Sequence, residues 1–284
     1  MKRVILSIAI ILTVSASFGQ DSQVLTKENT VKTKDIVKIE RLDSLEQDIY
    51  DKLNDFRLIM IGEMHGTNEP AHFLIGLAEL LANNGDSVQV GFEIPSELMT
   101  SYIQSPTDSN LLQTDFFLGK FADGRASIAW ANAIARLTKN TKVQIFFFDI
   151  YEYSENTDGD SLMYLKIKEK IIANPNWRTI TLSGNIHNMR TPFKEIQTTA
   201  YYLCNDQELN FADRICTLNH FYQSGTMLSN IGKGLELRQF NHPPDIVSET
   251  LNFDNYFYLS QQVDIYNGRF FTKNITASEP ANKK

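Results

Sequence analysis

The sequence predicts an α/β fold: a single domain with a mostly parallel central sheet, flanked by helices, with a helical cap insertion after the second strand. Three observations carry this expectation. Short apolar runs alternate with stretches of helical spacing from Phe56 to Phe271. No Pro/Gly/Ser-rich linker divides the chain. An acid or a histidine follows each apolar run, as expected where strands end at one edge of an open sheet.

Met1 to Gly19 reads as a signal peptide: a basic start, an apolar run from Val4 to Val14, then small residues. The apolar run is shorter than the roughly 20 residues a transmembrane helix needs. The chain is therefore expected to be exported, periplasmic or secreted, with no stable membrane span. Residues 20–40 are polar and aperiodic and read as a flexible leader. Residues 41–275 form the domain, and residues 276–284 read as a disordered tail.

Within the domain, Leu42, Leu45, Ile49 and Leu53 keep helical spacing. Phe56 to Ile61 is the first buried strand. Glu69 to Asn83 is an amphipathic helix ended by Asn84-Gly85-Asp86. Val88 to Phe92 is the second strand, and Pro95 opens a helix at the position where proline is tolerated. Leu111 to Phe117 and Ala126 to Leu137 are helical, so the stretch from Ser96 to Lys142 forms the cap. Val143 to Phe148 is the third strand, Ser161 to Ala173 a helix, and Thr179 to Leu182 the fourth strand. Pro192 to Leu203 reads as a helix and Arg214 to Asn219 as the fifth strand. Tyr256 to Leu259 and Arg269 to Thr272 are strand-like.

Composition narrows the function. The 27 Lys and Arg against 34 Asp and Glu give a net charge of -7, which offers no basic footprint for nucleic acid. Gly-x-Ser-x-Gly, a Walker loop, a dinucleotide glycine fingerprint and His-Glu-x-x-His are all missing. Cys204 and Cys216 can be read as a disulfide of an exported protein or as two buried thiols.

The strand ends carry Gly62-Glu63-Met64-His65-Gly66-Thr67-Asn68-Glu69, then Glu93-Ile94-Pro95, Asp149-Ile150-Tyr151, Ser183-Gly184-Asn185-Ile186-His187-Asn188 and Asn219-His220-Phe221-Tyr222. Charges beside a core are costly unless paired or used, so this recurrence points to a site. His65, Glu63, Glu93 and His187 are its expected centre. Glu69, Arg125, Asp149, His220 and Tyr222 are expected around a small-molecule substrate. Glu69 also suits a helix start, and His220 also suits a hydrogen-bonded core position. His72 and His242 read as incidental, and Asp158-Gly159-Asp160 as a turn into a helix.

These motifs resemble the erythromycin esterase-like superfamily. The opening Gly62 to Glu69 motif, Glu93 with Pro95, Asp149-Ile150-Tyr151 and Gly184 to His187 occur in that family's order. The wider group includes haem-binding uptake proteins of the ChaN type and the Tiki/TraB metalloproteases. The resemblance implies a hydrolase of an ester or amide, with His65 activating water and Glu63, Glu93 and His187 assisting. A ligand- or haem-binding uptake protein without catalysis is the alternative. A third reading has His65, His187, Glu63 and Glu93 holding zinc or manganese in a metal-dependent peptidase. The cofactor therefore stays open between none, a divalent metal and haem.

Overall fold

The computed structural model describes residues 35–120, 123–151, 158–230, 234–260 and 264–282. The expected signal peptide and most of the leader lie outside the described residues. Among the described residues no helix is long and apolar enough to cross a membrane.

Strands β1 (Ile36–Lys38), β2 (Leu58–Glu63), β3 (Val88–Pro95), β4 (Val143–Asp149), β5 (Arg178–Gly184), β6 (Ile215–Asn230), β7 (Leu235–Asn241), β8 (Asn255–Leu259) and β9 (Gly268–Ile275) join in one sheet. Among the described residues the order is β1-β8-β9-β6-β2-β5-β3-β4, with β7 paired to β6. The pairs β2–β5, β2–β6, β3–β5, β3–β4 and β6–β9 are parallel. Only β1–β8, β8–β9 and β6–β7 are antiparallel. The mostly parallel single-domain sheet expected from the sequence is the one observed.

Helices α1 (Gln47–Leu53), α2 (Glu69–Asn83), α3 (Thr100–Gln104), α4 (Asp108–Leu112) and α5 (Ile128–Thr138) precede β4. Helices α6 (Gly159–Ala173), α7 (Thr199–Cys204) and α8 (Ile246–Leu251) follow it. Each face of the sheet has its own core, so β2 and β3 are buried along their whole length and β5 along most of its own. One core joins Phe73, Leu74 and Leu77 of α2 and Trp130 and Ile134 of α5 to Ile59, Ile61 and Leu182. The other joins Met163, Ile167 and Ile171 of α6 and Leu203 of α7 to Leu58, Met60 and Phe148.

Several expectations are corrected at element ends. The leader is structured from Ile36, which pairs with β8. The helix expected from Pro192 begins only at Thr199, because residues 193–196 close a turn with Lys194 at φ 55° and Thr198 caps the following helix. The expected helix from Leu111 to Phe117 divides into α4 and a separate turn at Phe116–Lys120. The fifth strand runs for 16 residues rather than ending at Asn219. It bends at Gly225, whose φ of 125° suits glycine and where a Cβ would sit 1.9 Å from the Ile275 carbonyl oxygen. The tail expected to be disordered is tied down from Thr276 to Ala281: Ala277 bridges Thr67, and Pro280 bridges Ser127.

Cys204 and Cys216 are free thiols. Cys216 is buried in the α2/α5 core and Cys204 packs at the α6/α7 core, so the sheet separates them. The disulfide reading is therefore replaced by the buried-thiol reading.

One aromatic stack anchors the β6–β9 side. Phe270 lies parallel to Phe73 with centroids 4.3 Å apart and parallel to His220 at 4.4 Å. Phe270→Ala should lower the unfolding free energy by about 3–5 kcal/mol, through lost burial and the cavity left behind. Urea denaturation measures this, and a loss below about 1 kcal/mol, typical of surface changes, would show that the stack is not a core element.

Candidate active site

The carboxyl ends of β2, β3, β4 and β5 lie side by side, and each contributes to one cluster. Glu63 is the last residue of β2, and His65 follows it by two positions. The His65 Nδ1–H donates to Glu63 Oε1 at 2.6 Å. The second Glu63 oxygen accepts from Trp130 Nε1 at 3.2 Å. Glu63 is buried while the His65 side chain keeps 23% of its surface exposed. The ring is thus fixed on one nitrogen and open on the other.

A second imidazole is built the same way from different parts of the chain. His187 stands in the turn Asn185–Asn188 that follows β5. Its Nδ1–H donates at 2.8 Å to Asp160 Oδ1, in the first turn of α6. That oxygen also accepts from the backbone N and the Oγ1 of Thr199, each at 2.7 Å.

Glu93 stands between the two rings. Its Oε1 lies 3.9 Å from His65 Nε2 and 3.7 Å from His187 Nε2. Gly184 leaves the space beside them clear: a Cβ there would stand 3.4 Å from His65 Nε2 and 3.5 Å from His187 Cδ2. Glu93 is buried and fully held. Oε1 accepts from Arg125 NH1 at 2.8 Å and Oε2 from the Gly184 N–H at 2.7 Å. Arg125 also reaches Asp149 at 2.8 Å and Asp123 at 2.7 Å.

The charges follow from these partners. Burial opposes a proton on His187, but Asp160 and Glu93 outweigh it and hold the ring at about 9. Burial likewise opposes a proton on His65, and the Glu63 hydrogen bond and the Glu93 charge overcome it, so its pKa is raised. Asp123 resists burial through Arg125 and His65 and falls to about 2. Near neutral pH His187 therefore carries a proton and presents Nε2–H. His65 in its neutral form presents a lone pair at Nε2, because Nδ1 keeps its hydrogen for Glu63. Both environments favour the protonated ring, and His187 has its pKa near 9.

The structure brings together Glu63, His65, Glu93 and His187, with Arg125 and Asp149 beneath them. The expected substrate-contact residues are instead engaged by other parts of the chain. Arg125 is buried and committed to three carboxylates, so it braces the site rather than reaching a substrate. Glu69 is buried and accepts from the N–H and Oγ1 of Thr276. His220 is a core residue: Thr272 Oγ1 lies 2.8 Å from its Nε2, and burial pushes its pKa down to about 3, so it stays neutral. Tyr222 packs among His220, Phe240 and His242. Sequence reasoning missed Asp160, Trp130, Asp123 and Thr199. Asp160 looks like an ordinary helix-start acid in sequence, and only the 27-residue separation closed by folding reveals its partner. Among the described residues no group of three or more His, Cys, Asp or Glu is arranged to hold a metal ion.

No protein-family profile matches the chain, and no curated protein matches it by sequence. Solved structures do. An erythromycin esterase variant in its open conformation superposes with a TM-score of 0.63 at 10% identity, covering 87% of this chain and 100% of its own. The chain has the erythromycin esterase fold. A succinoglycan biosynthesis protein matches with a TM-score of 0.62 at 9% identity, over 89% of this chain and 100% of that one. A Bacillus cereus protein matches with a TM-score of 0.60 at 8% identity, over 88% of this chain and 97% of that one. At such identities the likeness is one of fold, and the chemistry has to be argued from the residues of this chain.

The His187 charge has a measurable consequence. A folded-state pKa of about 9, above the ordinary 6.5, adds stability that is complete below 6.5 and lost as pH rises through 9. Asp160→Asn should lower the His187 pKa by at least about one unit, a change NMR titration of the ring reads directly. It should also flatten the fall in melting temperature between about pH 7 and 9. An unshifted ring titration would show that Asp160 does not set the charge.

Proposed function

We propose that the protein is an exported hydrolase that cleaves an ester or amide by general acid–base catalysis, with His65 as base and His187 as acid. The observation that carries this reading is the paired geometry. Each imidazole is held at Nδ1 by its own carboxylate, and both Nε2 edges face Glu93 across the space left by Gly184. Export rests on the sequence pattern of residues 1–19 alone.

The chemistry follows from proton positions. His65 Nε2 takes a proton from water as the water oxygen attacks the carbonyl carbon. The His187 Nε2–H donates a hydrogen bond to the oxygen that gains negative charge. On collapse the bond to the leaving oxygen or nitrogen breaks, and His187 passes its proton to that atom. His65 returns its proton to solvent and His187 takes one back, which restores the site. Glu93 lies near both Nε2 atoms throughout, so its charge favours the protonated form of whichever ring holds the proton.

Assays with p-nitrophenyl esters of graded acyl length test the reading. His65→Ala should reduce kcat/KM by about 100-fold or more, the scale of a lost general base. The pH profile of kcat/KM should be bell-shaped. It rises as His65 loses its proton, above the ordinary 6.5, and falls as His187 loses its own near 9. Hydrolysis that survives His65→Ala would sink the assignment. A Soret band on haem titration that is lost in the same variant, with no esterase activity in the parent, would move the reading to ligand binding.

A further inference from the structure

The segment after β9 runs across the back of the site. Its first residue is gripped by Glu69, the first residue of α2: Glu69 Oε1 accepts from Thr276 N at 2.9 Å and from Thr276 Oγ1 at 2.7 Å. From there the segment bonds to two loops. Thr276 O accepts from Asn68 N at 3.0 Å, and Ser278 N donates to Gly66 O at 2.9 Å, beside His65. Further on, Glu279 O accepts from Ile128 N at 2.8 Å, Ser278 Oγ from Ala129 N at 3.1 Å, and Ala281 N donates to Ala126 O at 3.0 Å. The second loop leads from Arg125, which holds Glu93, to Trp130, which holds Glu63.

We propose that Glu69 is a positioning residue of the site. By gripping Thr276 it fastens the strap Thr276–Ala281 across the His65 loop and the start of α5, and so fixes where His65 presents Nε2. Glu69 touches neither imidazole and acts through backbone. The strap supplies hydrogen bonds to backbone groups at Gly66, Asn68 and residues 126–129, and the last of these lie between Arg125 and Trp130, the side chains that hold Glu93 and Glu63. The Gly66 carbonyl accepts a second hydrogen bond from Leu228 N at 3.1 Å, so two donors hold the peptide between Gly66 and Thr67. A loose strap would let the His65 loop drift by a fraction of an ångström. Catalysis is sensitive on that scale, whereas the bulk of the fold, carried by the sheet and two cores, is not.

The inference rests on the reading of His65 as the base, so its test has one arm that does not need turnover. In the full chain, Glu69→Ala should lower kcat for p-nitrophenyl ester hydrolysis by about 10- to 100-fold with KM within about twofold. It should also shift the His65 ring resonances in NMR spectra of histidine-labelled protein. Glu69→Gln keeps the accepting Oε1 and should recover most of both readouts. Ser278→Pro removes the N–H given to Gly66 and should reproduce the Glu69→Ala defect. If Glu69→Ala does not fold, Thr276→Val removes one of the two bonds to Glu69 and should show the same changes in smaller degree. A lower melting temperature with unchanged kcat and unchanged His65 resonances would overturn the proposal and leave the strap a purely stabilising element. Absence of any ester turnover in the parent would sink the hydrolase reading instead, and the ring resonances would still decide the role of Glu69.

Discussion

A single buried guanidinium makes the rest of the site possible. Glu93, Asp149 and Asp123 lie close together at the ends of neighbouring segments, and burying carboxylates there without a counter-charge would be prohibitive. Arg125 answers all three: NH1 bonds Glu93 and Asp149, and the other side of its fork bonds Asp123. Burial alone would lower the pKa of Arg125, but the three acids reverse this and raise it. Glu93 also accepts from the Gly184 N–H, so the clamp ties the ends of β3, β4 and β5 together. A carboxylate fixed in this way can face two imidazoles without rotating away from either.

From that anchor the two histidines are supported by different partners. Glu63 shares its charge between His65 and the neutral Trp130 indole. Asp160 is held by both donors of Thr199 and directs its charge at His187. Asp149 adds to the negative field at His187, whereas Arg125 opposes the proton on His65. Two identical side chains near one carboxylate are thus both drawn toward the protonated form, each through its own partners.

The sheet and the centre of the site were legible in the sequence for a common reason. A parallel strand buried on both faces is a short apolar run, and the polar residue after it falls at the functional edge. Glu63, His65, Glu93 and His187 could be found because each sits within a few positions of such a run. Asp160 could not, since its position in the first turn of a helix has an adequate local explanation. Glu69 and His220 were overread for the converse reason: both follow the pattern, yet one grips Thr276 and the other stacks on Phe270. The strap falls in a stretch, residues 276–284, whose nine small and polar residues carry no period, so the sequence predicts disorder there. Its order comes from backbone hydrogen bonds to loops that only the folded chain brings near.

The glycine after His65 shows how packing and chemistry share one motif. Gly66 has a φ of 88°, and a Cβ there would stand 1.8 Å from the Leu228 carbonyl oxygen. Its own carbonyl accepts from both Leu228 and Ser278. Glycine is needed because β6, after bending at Gly225, brings its second half against the loop, and the strap closes on the same peptide. The His-Gly pair in the sequence thus sets a candidate site residue beside a position that needs glycine. The strand ends supply the side chains of the candidate site, and β6 together with the segment after β9 holds the loop that carries His65. A substitution at Gly66 would therefore disturb the placement of His65 through the backbone alone.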